Sequence, residues 1–460
     1  MHDALQRDLR ALAGDAAVLD PGTPAYLADA TESRAIRGRA DAIVLPADAA
    51  QVAAVVGFCH RRGLSVVPRG GGTGYAGGAV PIDGGVVVGL ERMDTVHALE
   101  PERWRAHAGA GVVTATLQRR ARESGVFYPP DPGAAEASQL GGNLATNAAG
   151  PHSFKYGVTR AWVTGVEAVL APGELVRFGG PVRKDVGGYD LTGLLVGSEG
   201  TLGVITAVWL RLVPAPEAQL PVLAAFPDVA AGCAAIAAVL AHGVQPATLE
   251  YLDGATLRAA ADAGLPPGVP AEAGLLVIAE ADGSAAEADR VRAELRELFA
   301  ETGASGLHAP TGRGETRELW RWRGAVSRAV SARRGGKFSE DIVVPVEHLA
   351  AAITRTQEIG ERHGLPACSW GHAGDGNLHS SFLVDPGDER DRERAAAAAG
   401  ELFALAVALG GAISGEHGVG ITKRGALAGQ WEAPALARHE AIKAALDPDG
   451  LFNPGKKLAR

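Results

Sequence analysis

The sequence predicts an α+β fold of at least two domains, and three observations carry that expectation. At 460 residues the chain is longer than one hydrophobic core comfortably holds. Through the first half, short β-branched runs bounded by glycine and proline alternate with amphipathic helical stretches. After Pro214-Ala-Pro216 the texture changes to long alanine-rich helices interleaved with strands.

Taken in order, Ala42–Pro46 reads as a short strand closed by proline. Asp48 then stands in an N-cap position before the apolar spacing of Ala49–Arg61, which predicts a helix stopped by Gly63. Leu64–Pro68 is a second strand that runs straight into a glycine cluster, and Gly85–Leu90 is a third. Val112–Ser124 has helical spacing, while Trp162–Leu170 and Gly203–Leu212 read as strands. Beyond the boundary, helices are expected over Ala285–Glu301, Leu349–His363 and Arg392–Leu409, with strands at Leu275–Ile278 and Ser380–Val384. Alanine is simply the best helix former, so its abundance carries no functional weight.

Composition excludes several classes. A net charge of -9 argues against a nucleic-acid partner, which wants concentrated lysine and arginine, yet leaves room for a locally basic pocket that takes small anions. Cys59, Cys233 and Cys368 are isolated, so they form neither a disulfide framework nor an iron–sulfur spacing. No apolar run reaches spanning length, and the first residues lack a long apolar core. A cytoplasmic location is expected, with peripheral attachment to a membrane complex left open.

The glycine cluster Pro68-Arg-Gly-Gly-Gly-Thr-Gly-Tyr-Ala-Gly-Gly78 contains a G-x-G-x-x-G spacing from Gly72 to Gly77. A dinucleotide fingerprint of that kind must open a helix, and Gly77, Gly78, Pro81 and Gly84-Gly85 occupy the place where the helix would be. Glu91 therefore loses its meaning as a ribose ligand. Exposed amides in such a loop still suit a diphosphate; an ordinary set of tight turns is the other reading. Tyr128–Gly133, Gly141–Gly150 and Gly197–Thr206 are further glycine-rich polar segments, read as loops that embrace an extended ligand.

Chemistry concentrates in Gly371-His-Ala-Gly-Asp-Gly-Asn-Leu-His379 and Ser414-Gly-Glu-His-Gly-Val-Gly420. His372, His379 and Glu416 form a His2Glu set able to hold a divalent metal with a position open for substrate. Glycines 374 and 376 allow the reversal that brings both rings to one centre. Zinc is the first expectation, and manganese, iron and cobalt share the same donors. His417 follows the carboxylate and could accept a proton, or serve as a supporting partner or a fourth ligand.

These segments, with Asn453-Pro-Gly-Lys456, closely resemble the flavoproteins of the vanillyl-alcohol-oxidase superfamily over about residues 35 to 458. In particular the chain resembles the FAD-linked dehydrogenases of D-2-hydroxy acids, a group with D-lactate, D-2-hydroxyglutarate and glycolate enzymes. The resemblance implies an N-terminal helical segment (1–34), a two-part PCMH-type FAD-binding domain (35–214), an FAD-linked oxidase substrate domain (215–410) and a C-terminal segment (411–460) returning to the flavin. It places Arg69, Gly70, Gly71, Gly72, Thr73, Gly74, Gly77 and Gly78 around the diphosphate. Pro130, Asp131, Gly141, Gly142, Asn143, Thr146, Asn147 and Gly150 would flank the flavin, as would Glu199, Gly200, Gly203 and Ile205. Asn453 and Lys456 would approach from the C-terminal side. The cradle offers Tyr75 and no histidine, so noncovalent FAD is expected, with His152 the nearest alternative for a covalent link.

The same resemblance makes His372, His379 and Glu416 the metal ligands and His417 the catalytic base. Arg323 and Lys337 match the carboxylate-binding pair, although both sit among other basic residues that a solvated surface would also carry. Ser327, four residues beyond Arg323, is a further substrate contact. Ser381 is a further expected substrate contact, and it stands where relatives that act on 2-hydroxyglutarate often carry asparagine. The implied activity is oxidation of a D-2-hydroxy acid, D-2-hydroxyglutarate or D-lactate first, with hydride passed to flavin N5. Electrons would leave to an electron-transfer flavoprotein, a quinone or a cytochrome. Glycolate oxidation, an oxygen-using oxidase and a non-catalytic flavin subunit are the alternatives, and a homodimer is a mild expectation.

Overall fold

The computed structural model describes residues 2–458. Two bodies of sheet and helix follow one another along the chain, as the change of texture at Pro214 predicts. In the first, a four-stranded sheet runs in the order Val18–Leu19, Ala42–Val44, Val86–Gly89, Val66–Arg69, with the last three strands parallel. Between Ala42–Val44 and Val66–Arg69 the chain crosses over through helix Ala49–Arg62. Asp48 caps that helix by accepting from the Gln51 amide at 2.8 Å, and Gly63 ends it at φ 62°, a conformation glycine adopts without strain.

Beside it lies a five-stranded antiparallel sheet ordered Val96–Glu100, Arg105–Gly109, Val204–Arg211, Val163–Leu170, Glu174–Gly179. Helix Thr114–Glu123 follows the second of these strands, close to the helix expected there. The segment Gly141–Gly150 departs from expectation: Leu140–Thr146 is a short helix, not a loop. Two glycines inside it allow close approach, since a Cβ on Gly141 would come within 2.8 Å of the Ala110 Cβ. Packing thus overrides glycine's poor helix propensity.

The second body is a seven-stranded antiparallel sheet in the order Gly306–His308, Ala218–Phe226, Leu275–Gly283, Thr248–Asp253, Ala367–His372, Asn377–Val384, Gly336–Val343. Its faces carry two separate apolar clusters. One packs helices Val229–Ala241, Ala285–Glu301, Leu349–Arg362 and Glu389–Ala408. On the opposite face, helix Arg313–Ala332 lays Leu319, Val326 and Val330 against Trp370, Cys368 and Leu383. The His372–His379 segment, where the glycines predict a reversal, is the turn of a hairpin: both histidines sit on strands, joined by a single helical turn at Ala373–Asp375. Gly376 makes the reversal at φ 67°, and its absent Cβ would sit 2.0 Å from the Val344 carbonyl.

After the second body the chain comes back to the first. Leu451 and Phe452 are buried in the N-terminal core, the Asn453 amide donates to the Val66 carbonyl at 2.8 Å, and Phe452 bridges Val66 in parallel. Asn453 Nδ2 then donates to the carbonyls of Gly78 and Glu199, at 2.9 and 2.8 Å. Replacing Phe452 with alanine is expected to leave a cavity costing about 3–5 kcal/mol. The readout is a lowered thermal midpoint; an unchanged midpoint would show that the returning segment does not hold the first body together.

Candidate active site

Four adjacent strands bring the reactive side chains together by register alone. Glu250 pairs across to His372, Trp370 to His379, and His379 to Asp341. The fifth contributor is the loop Ser414–Gly418, which carries Glu416 and His417. Nothing in that loop's composition fixes its shape; Asp341 does. Its Oδ2 accepts from the amides of Gly415, Glu416 and His417 at 2.8, 3.0 and 2.9 Å and from Ser414 Oγ at 2.8 Å. Oδ1 accepts from Asn377 Nδ2 at 2.6 Å, and Lys423 Nζ lies 3.5 Å from Oδ2. Burial alone would push this carboxyl up, but Lys423, His417, His379 and the amides hold it well below the usual carboxylate range.

The loop so fixed places Glu416 Oε1 3.2 Å from His379 Nε2 and 3.7 Å from His372 Nε2. Donors around one tetrahedral ion at about 2.1 Å stand about 3.4 Å apart, so the three fit a divalent metal. Nδ1 of His372 is taken by Glu250 Oε1, which turns Nε2 toward the centre. Burial opposes charge on His372, yet Glu250 and Glu416 hold its imidazole well above the usual histidine range. A cation at Nε2 would replace that proton. Glu416, largely shielded, is likewise held below the usual carboxylate range by His372 and His379 against the opposing effect of desolvation. His417 behaves oppositely: burial, with Asp341 opposing and His379 assisting, pushes it down to about 4, which keeps its ring neutral at ordinary pH. It stacks on His379 at 5.2 Å between centroids and lies 4.7 Å from Tyr75.

A cavity of about 310 Å³ opens over these groups, lined by His372, His379, Glu416, His417, Arg323, Ser327 and Lys337, among others. Arg323 reaches it from helix Arg313–Ala332 while two of its nitrogens, Nε and Nη2, donate to Glu250 Oε2 at 3.0 and 2.6 Å. Lys337 is fully buried with its Nζ 5.7 Å over the Trp370 ring. Ser381 requires a correction: it is fully buried and does not line the cavity, because its Oγ donates to Ser339 Oγ at 2.8 Å and Ser339 is the hydroxyl on the wall.

A second cavity adjoins the first, and His417 belongs to the walls of both, as do Thr73, Gly74, Ser138, Asn143 and Thr146. Arg69, Gly70, Gly71, Gly72, Gly78, Gly141, Gly142, Glu199, Gly200, Gly203 and Ile205 complete it. An extended polar ligand fits: a Cβ on Gly74 or Gly78 would meet no protein atom within 4 Å and would occupy open space, and the buried Gln139 Oε1 on the wall has no partner. Asp131 and Gly150 line the substrate cavity instead. Gly77, Pro130, Asn147 and Asn453 are not among the residues that line either cavity. Gly77 packs toward Ile421, Asn147 accepts the Arg160 amide, and Asn453 ties loops together behind the wall. Arg69 turns its guanidinium away from the cavity, onto the Ala28 and Ala25 carbonyls at 2.9 and 2.6 Å. The Glu199 carboxylate accepts from the amides of Val419 and Gly420 at 3.0 and 2.6 Å.

His152 is held between two acids, with Nδ1 2.6 Å from Asp131 Oδ2 and Nε2 3.5 Å from Glu280 Oε1. Burial disfavours its charge, but the acids raise it to about 10, so it stands as an imidazolium and not as a nucleophile. Glu250, Asp341 and Ser339 escaped the sequence reading. The signal for the two acids was present: single carboxylates inside apolar strands, Thr248-Leu-Glu-Tyr-Leu and Asp341-Ile-Val-Val. A buried acid needs partners, so such positions point to a polar network.

Residues 40–179 match the FAD binding domain family, and residues 215–457 match the family described as FAD linked oxidases, C-terminal domain. The chain is 35% identical over 439 residues to the glycolate oxidase subunit GlcD of Bacillus subtilis, covering 95% of this chain and 93% of that protein. It is 33% identical over 427 residues to D-lactate dehydrogenase of Anaerostipes hadrus, covering 91% and 90%. D-lactate dehydrogenase of Archaeoglobus fulgidus is 35% identical over 421 residues, covering 91% of each chain. Among solved structures, p-cresol methylhydroxylase shares the fold at a TM-score of 0.82 and 18% identity, over 99% of this chain and 96% of that one.

Because Glu250 serves His372 and Arg323 at once, Glu250→Gln is expected to weaken metal retention by about 10–100-fold, the range for a partner behind a ligating histidine. Metal content after dialysis against graded chelator measures it. Wild-type retention would show that Glu250 is only a packing residue.

Proposed function

Because the chain belongs to the FAD-linked oxidases, we propose that it is a dehydrogenase that oxidises a D-2-hydroxy acid to the 2-oxo acid, with a divalent metal at His372, His379 and Glu416. The observation that carries this reading is the place of His417, on the wall shared by the glycine-lined cavity and the cavity above the His2Glu cluster. A group there reaches substrate and cofactor together. The relatives named for glycolate and D-lactate chemistry support the substrate class.

Bound FAD supplies the hydride acceptor, and the metal, zinc first among the candidates, supplies Lewis acidity. The protein's own groups do the rest. His417, neutral because of its burial, accepts the proton of the C2 hydroxyl as hydride leaves the same carbon. Arg323 and Lys337 face the same cavity and hold the substrate carboxylate, which fixes C2 relative to His417. Thr73, Gly74, Ser138, Asn143 and Thr146 border both cavities and enclose the reacting region. His152 is committed to Asp131 and Glu280, and the glycine loop 68–78 contains no histidine, which supports noncovalent FAD. Electrons then pass to an electron-transfer flavoprotein, a quinone or a cytochrome.

Anaerobic mixing should bleach the flavin with the D enantiomer of lactate, 2-hydroxybutyrate or 2-hydroxyglutarate, or with glycolate, and leave it oxidised with the L enantiomers. Absence of bleaching by every acid would refute the reading. His417→Asn should keep FAD and metal while slowing flavin reduction by about 10²–10⁴-fold at saturating substrate. An unchanged rate reassigns His417 to structure. Glu416→Ala should lose bound metal, measured by elemental analysis; a full complement of metal would rule out the assigned ligand set.

A further inference from the structure

Outside the site just described, a cleft of about 1050 Å³ lies between the two bodies. It shares Asp131, Pro151 and Trp320 with the cavity above the histidine cluster, so the two recesses adjoin at these residues. Five arginines line it: Arg122, Arg292, Arg313, Arg317 and Arg321. That density of positive charge stands out in a chain whose net charge is -9.

The acids on the same walls, Asp131, Glu217 and Glu280, are fewer than the arginines and do not cancel them. Asp131 pairs with His152, and Glu280 accepts from Trp320 Nε1 at 2.6 Å and Gln219 Nε2 at 3.0 Å. Glu217 accepts the Ala285 amide at 3.0 Å. Of the arginines, Arg292 contacts Asp289 at 2.8 Å and Arg321 lies 3.7 Å from Glu318. Arg122 stacks its guanidinium 4.8 Å over Phe127 and reaches Gln219, a neutral partner. Arg313 and Arg317, one turn apart on the same helix, are exposed and have no ion-pair partner among the described residues. The cleft therefore holds uncompensated cationic groups at the mouth of a cavity whose occupant, on the reading above, is an organic anion.

We infer that this arginine-lined cleft is the anion-gathering entrance of the site: it concentrates small carboxylates from solution and passes them over Trp320 to the hydroxy-acid cavity. A recess with one sign of charge and low-dielectric walls focuses field lines and raises the local concentration of the opposite charge. The recess is too small for a folded partner and roomy for a hydroxy acid. The inference rests on the smaller cavity being the hydroxy-acid site.

The test is the holoenzyme with Arg313→Glu and Arg317→Glu combined. Neither residue touches the reacting groups, both are exposed, and glutamate at position 313, in the first turn of the helix, suits the helix dipole. The second-order rate constant for anaerobic flavin reduction should fall about tenfold at low salt, the lower end of the range for charge-guided encounter. The reduction rate at saturation should stay at the wild-type value. Added salt should slow the wild type and leave the variant nearly indifferent. The neutral pair Arg313→Gln, Arg317→Gln should fall between the two. A second arm needs no substrate: iodide quenching of Trp320, taken as the difference from Trp320→Phe, should drop in the charge-reversed protein while quenching by neutral acrylamide stays constant. Wild-type rate constants and salt response in the reversed variant, or unchanged iodide quenching, overturn the inference. If no acid bleaches the flavin at all, the proposed function falls, and the quenching arm still decides whether the cleft gathers anions.

Discussion

One buried carboxylate organises the centre of this molecule. Asp341 stands in a strand, shielded from water, where a lone charge would be costly. It is tolerated because three consecutive backbone amides, a serine hydroxyl, an asparagine amide and a lysine converge on it. The same bonds leave the loop 414–418 no freedom, and that loop carries both the carboxylate of the metal set and the proposed base. Geometry at the reacting atoms is thus set by a residue that lies beneath the loop and beside His379 in the sheet. The charge that Asp341 retains also offsets, in part, the burial that keeps His417 neutral.

Glu250 plays the corresponding part on the other side. Its two oxygens divide their work, one fixing His372 and the other the Arg323 fork. His372 and Arg323 are therefore coupled through a single buried acid. A shift in the helix that carries Arg323 would be felt at His372, because Glu250 cannot turn without abandoning one of them.

Much of this was legible in the sequence and some of it was not. Helices with an N-cap acid and a closing glycine, such as Ala49–Arg62, announce themselves through local chemistry. The His372–His379 spacing, the Glu416-His417 pair and the glycine-rich loops point to the site because few other roles suit those residues. What stayed hidden depends on register. Ser381 and Ser339 are far apart in sequence, and only strand pairing decides that the second reaches the cavity while the first donates to it from behind. The helix at Leu140–Thr146 runs against glycine's own preference and exists through its packing at Ala110. Glu250 and Asp341 looked like ordinary strand residues until their partners, brought from distant segments, were in view.

The return of the chain to its starting body has a consequence for biosynthesis. Val66 waits for Asn453 to donate to its carbonyl, the N-terminal core waits for Leu451 and Phe452, and the Glu199 carboxylate waits for the amides of Val419 and Gly420. Domains emerging from the ribosome generally fold in order, the first ahead of the second. Here the first cannot reach its finished form in that order, since its last pieces are translated only after the second body. The nascent cradle stays incomplete until residues 419–453 have been made, so its closure follows synthesis of the second body.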